Sequence, residues 1–76
     1  MAIALVALEF EWSRTPVQKE RFALEMAARG FRKGEGRKWH AVREFKDPDA
    51  AARAVRSAAR ASKVSIREMA FGEFAP

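Results

Sequence analysis

Cysteine is absent from this 76-residue chain, which excludes a disulfide framework and a thiolate metal site. Stability must come from the core or from a partner subunit, and missing thiols fit a cytoplasmic protein. Histidine is nearly absent, the one imidazole being His40. A zinc site would need carboxylates as all its other ligands. A serine triad would pair His40 with Ser13, Ser57, Ser62 or Ser65, none of them in a nucleophile-elbow motif. Long apolar runs are missing too. The stretch Met1 to Leu8 has no basic flank and falls far short of the roughly 20 residues a spanning helix needs, so no targeting or membrane segment is expected. No catalytic residue, metal or other cofactor is expected, and the length admits one domain, 1–76, burying about 60% of its unfolded surface.

Acids are scarce in the middle of the chain. From Arg29 to Arg67 there are twelve Lys or Arg against four acids, a local balance of +8, whereas the two flanks carry −1 and −2. A basic half points to a polyanion or an acidic protein surface as partner.

What is present reads as alternating strands and helices. Ala2 to Trp12 is a strand with apolar even positions. Its odd positions Ile3, Leu5 and Ala7 are apolar before Glu9 and Glu11, so this is a central strand covered on both faces where it begins. Two helices cover one face. The other, carrying Ile3, Leu5 and Ala7, is expected to form a homodimer interface. Thr15-Pro16-Val17-Gln18 starts a helix with a capping box and Pro at its first position, and Gly30 ends it. Its wheel places Val17, Ala23, Leu24, Ala27 and Ala28 on the apolar side, with Phe22 and Met26 toward the border.

Gly30 to His40 holds three of the four glycines, one of two tryptophans and the histidine. It reads as a short strand around Phe31 to Lys33, a turn at Gly34-Glu35-Gly36 and a strand from Arg37 to Lys46. Trp39, Ala41, Arg43 and Phe45 form the core side of that strand, with Arg43 the misfit. Lys-Gly-Glu-Gly-Arg-Lys lacks the Gly-Lys-Ser/Thr ending of a phosphate loop and suits a tight hairpin. Asp47-Pro48-Asp49 opens a second helix, with Ala51, Ala54, Ala58 and Ala61 around Val55 facing inward. Val64 to Phe71 is the last strand. The order strand, helix, strand, strand, helix, strand specifies a ferredoxin-like α+β fold, an antiparallel sheet with both helices on one face.

Two basic elements stand out. Arg32, Lys33, Arg37 and Lys38 flank the hairpin turn, with Trp39 beside them. Arg53, Arg56, Arg60 and Lys63 fall within about 80 degrees of one another on the second helix. Together they are the candidate contact for nucleic acid or a nucleoprotein, since phosphates are held by charge with few geometric demands.

The segment Trp39 to Val55, an aromatic-rich strand running into Phe45, an Asp-Pro turn and an Ala-rich helix, resembles the third strand and second helix of RNA-recognition-motif domains. The resemblance implies the same layout. Where that family exposes stacking aromatics on the strand, this chain has His40 and Val42. Glu9 and Glu11 are placed similarly to the carboxylates of the small ferredoxin-like nucleases of CRISPR systems, whose dimers hold a metal, although those proteins use Asp. The leading expectation is therefore a non-catalytic basic binding protein. The alternative is a small inhibitor or adaptor, of the size of antitoxins and phage anti-defence proteins, docking on an acidic protein surface through Trp39, Phe22 and the arginines. A metal-dependent nuclease ranks third.

Overall fold

The computed structural model describes residues 5–72. They form β1 (Leu5–Phe10), α1 (Pro16–Ala28), β2 (Phe31–Lys33), β3 (Lys38–Ala41), α2 (Pro48–Ser62) and β4 (Ile66–Gly72). The four strands make one antiparallel sheet in the order β2-β3-β1-β4. With both helices on one face, this is the ferredoxin-like α+β arrangement. No helix among the described residues is long and apolar enough to cross a membrane.

Local chemistry sets the helix starts. The Thr15 hydroxyl accepts from the Gln18 amide at 3.1 Å while Gln18 Oε1 accepts from the Thr15 amide at 2.9 Å, closing the capping box. Gln18 Nε2 also donates to the Lys63 carbonyl at 3.0 Å, which ties the start of α1 to the end of α2. Asp47 caps α2 by accepting from the Ala50 amide at 2.8 Å. Gly30 ends α1 with φ +94°, and the Arg43 stem lies where a Cβ would stand, at 2.4 Å. This accommodates the misfit: the strand stops at Ala41, so Arg43 is exposed with its guanidinium 4.6 Å over the Phe45 ring. Arg37 and residues 42–46 are thus outside the strand expected there. β2 is only three residues long, and past Phe31↔Ala41 the pairing on that side continues with the Val42 amide donating to the Gly30 carbonyl at 2.8 Å.

Val6 and Leu8 put the even face of β1 into the core with Phe22, Met26, Phe31, Trp39, Phe45, Ala51, Val55, Ala58 and Ala59. Phe10, Phe22 and Trp39 meet edge to face at 5.3 and 5.4 Å, and Phe31 stacks on Phe45 at 4.9 Å. Each such pair adds about 0.5–1.5 kcal/mol beyond area burial.

The inner faces of both helices differ from their wheels. On α1, Phe22 and Met26 are fully buried, whereas Val17 is 75% and Leu24 63% exposed; Ala27 and Ala28 are exposed too. Turning Phe and Met inward removes far more apolar area from water than turning in Val and alanines, and the Phe10 and Trp39 rings complete the socket for Phe22. On α2 the buried residues are Ala51, Ala52, Val55, Ala58, Ala59 and Ser62, and Ala61 is exposed. The helix is thus turned by about 60° from the expected inner face of Ala51, Ala54, Val55, Ala58 and Ala61. Trp12, the last apolar even position of the strand expected there, is 70% exposed, because the strand ends at Phe10.

Candidate nucleic-acid interface

The hairpin is held by Gly34 N–H donating to the Lys38 carbonyl at 2.9 Å and Lys38 N–H to the Glu35 carbonyl at 3.0 Å. Its four cations all line one open cleft of about 970 Å³ with Glu35 and His40, but they reach it from different faces and with different ties. Strand register puts Lys38 beside Ala7, and Arg32 and Leu5 beside His40, on the open face of the sheet. Lys33 pairs with Trp39 on the opposite face. Its Nζ donates to the Gly34 carbonyl at 3.0 Å and to the Gly36 carbonyl, and lies 5.5 Å from the Trp39 ring centroid. Arg37 reaches the Glu9 carboxylate at 3.6 Å and accepts, through its carbonyl, from the Leu8 amide at 3.0 Å. Lys33 and Arg37 therefore brace the loop.

Trp39 leaves the candidate contact set because it is 4% exposed and packed on Phe22. Phe22, fully buried, leaves it for the same reason. Ile3 lies outside the described residues, while Leu5 and Ala7 are half-buried on the open sheet face.

The helix stripe holds together better. Arg53, Arg56 and Arg60 are all exposed, spaced three and four residues apart. Lys63 departs from it: it is the left-handed C-cap of α2, φ 58° and ψ 39°, so its side chain no longer follows the helical step. Because α2 is turned from its expected face, Arg53 points outward and Arg56 and Arg60 tilt toward one flank. There they line a cleft of about 450 Å³ with Ala59, Val64, Ile66, Arg67, Glu68, Met69 and Phe71.

Arg67 is the residue sequence reasoning did not single out. Between β1 and β4 the register runs Glu9↔Glu68 and then Phe10↔Ile66, leaving Arg67 as the extra residue of a bulge. Bulges at sheet edges re-aim side chains, and this one brings a third guanidinium to the α2 cleft. A lone Arg in an otherwise alternating strand was the only available signal. β4 is an edge strand, so the cleft opens on the side of the molecule opposite β2 and its hairpin.

Among the described residues the ion pairs are Arg21–Glu25 at 2.8 Å, Arg29–Glu25 at 2.6 Å and Arg37–Glu9 at 3.6 Å. Hydrogen bonds from Arg29 and then Arg21 hold the Glu25 carboxyl below its usual pKa. Arg53, Arg56, Arg60 and Arg67 have no acid partner among these. Glu9 faces Glu68 across the sheet, and no group of three His, Cys, Asp or Glu able to hold a metal ion occurs among the described residues. No family model, curated protein or solved structure matches this chain.

Proposed function

We propose that this chain is a small non-catalytic binding protein that engages the phosphate backbone of nucleic acid through the arginine side of α2. The observation carrying this reading is the row of exposed guanidiniums at Arg53, Arg56 and Arg60, without ion-pair partners among the described residues. Helical rise spaces successive members by about 4.5–6 Å, which sets the three cations in a row along one side of the helix. Each guanidinium offers a planar fork suited to phosphate oxygens. Binding of this kind is strongly salt-dependent, because every neutralised phosphate releases counterions. Fluorescence anisotropy with labelled DNA and RNA across a salt series tests it, and a flat, salt-insensitive signal at low ionic strength removes the reading.

The open sheet face supports assembly with a second copy. Leu5, Ala7, Ala70 and Gly72 form its floor, with Arg32 and Lys38 on the β2–β3 side and Glu68 on the β4 side. A twofold parallel to the strands lays each cationic side over the acidic side of the other copy. Light scattering tests this: Glu68→Lys shifts the mass toward monomer, and adding Lys38→Glu restores it.

The inhibitor or adaptor reading rests on a different observation. Val17 and Leu24, 75% and 63% exposed, lie on one side of α1, where they form an apolar contact for a protein partner. A single partner retained after nuclease treatment and lost in Leu24→Glu favours that reading.

A further inference from the structure

The cleft between α2 and β4 has two kinds of wall. Arg56, Arg60 and Arg67 supply positive charge, with Glu68 the one acid on the lining, and Val64, Ile66, Met69 and Phe71, half-buried and packed against the core on one side, supply apolar surface on the other. The two sets come together only because the Arg67 bulge and the rotation of α2 bring the strand's guanidinium to the flank on which the helix's arginines lie. A duplex presents phosphates to such a surface but keeps its base faces stacked on each other, so the apolar wall would go unused. A single strand offers phosphates and free base faces side by side.

We infer that the α2–β4 cleft is a seat for single-stranded nucleic acid, in which Arg56, Arg60 and Arg67 hold successive phosphates and Phe71 meets an unstacked base. This rests on the phosphate-binding reading above and deepens it. At about 450 Å³ the cleft falls within the roughly 300–1,000 Å³ typical of small-ligand sites, room enough for a base beside the charges. Arg53, on the same helix but not lining the cleft, adds only general attraction. The edge position of β4 lets a strand run past in either direction without meeting a neighbouring β-strand.

The experiment compares the full chain's affinity for a labelled oligothymidylate of about 20 nucleotides with that for a mixed-sequence duplex of equal length. The single strand binds at least about tenfold tighter, and Arg67→Ala weakens it about tenfold while lowering the salt slope by about one. Phe71→Leu, which keeps the apolar volume, weakens the single strand about fivefold and leaves the duplex unchanged. Arg53→Ala costs both probes equally and less. Equal affinity for both probes, with Arg53→Ala as harmful as Arg67→Ala, overturns the cleft assignment and leaves backbone binding standing. Absence of binding to either probe at low salt overturns both. So does capture of polyglutamate alone in an Arg67-dependent way, which assigns the cleft to an acidic protein segment.

Discussion

The two basic regions of this molecule carry similar charge and put it to different use. In the hairpin, Lys33 is bonded to the loop carbonyls and covers Trp39, Arg37 pairs with Glu9, and Arg32 and Lys38 turn to the open sheet face. On α2 and β4, Arg53, Arg56, Arg60 and Arg67 have no ion-pair partner among the described residues. Counting cations along a chain therefore does not locate a binding surface. A cation bonded to its own loop stabilises that loop, while an unneutralised row bears an electrostatic cost that an anionic partner relieves.

The sharpest way to break this comparison is paired substitution. Arg56→Ala with Arg60→Ala is expected to weaken nucleic-acid binding about a hundredfold at moderate salt, with the melting temperature unchanged. Lys33→Ala with Arg37→Ala should do the reverse, weakening binding less than threefold while lowering stability by about 1–2 kcal/mol in urea unfolding. Equal losses of affinity from the two pairs would erase the distinction.

A smaller effect of opposite sign is expected at Lys63. Its left-handed backbone costs a non-glycine residue about 1 kcal/mol, so Lys63→Gly should raise stability by about 0.5–1 kcal/mol and barely change binding, since Lys63 is not part of the row. A large affinity loss there would restore it to the contact set.

The smallest effect concerns pH. Arg29 and Arg21 hold the Glu25 carboxyl below its usual pKa. A carboxyl depressed in the folded state binds its proton more readily in the unfolded chain. Its contribution is therefore present above the unfolded pKa and fades as pH falls through the folded one. Glu25→Gln should flatten that acid limb in thermal melts at stepped pH and leave binding at neutral pH untouched.

Much of the architecture was legible because it is encoded locally. Thr15-Pro16-Val17-Gln18 and Asp47-Pro48-Asp49 act within one helical turn, and Gly30 needs only its own backbone freedom. The candidate site was legible only in part. Arg53, Arg56 and Arg60 share an azimuth that any helix of this sequence would give them, but Arg67 joins them through a bulge that depends on pairing with β1. Trp39 was placed on the core side of its strand by alternation, and its burial against Phe22 from a different element is what removes it from the contact set.

The sequence by itself determined the element order, the caps and the basic arc of the second helix, since each follows from neighbours within a few residues. Tertiary structure alone decided which helix faces turn inward, which hairpin cations are tied down and that Arg67 meets Arg56 and Arg60. Those outcomes depend on how large side chains from distant segments fill one core. Burying Phe22 and Met26 outweighs the helix's own apolar pattern, and sheet register, not spacing along the chain, places each charge.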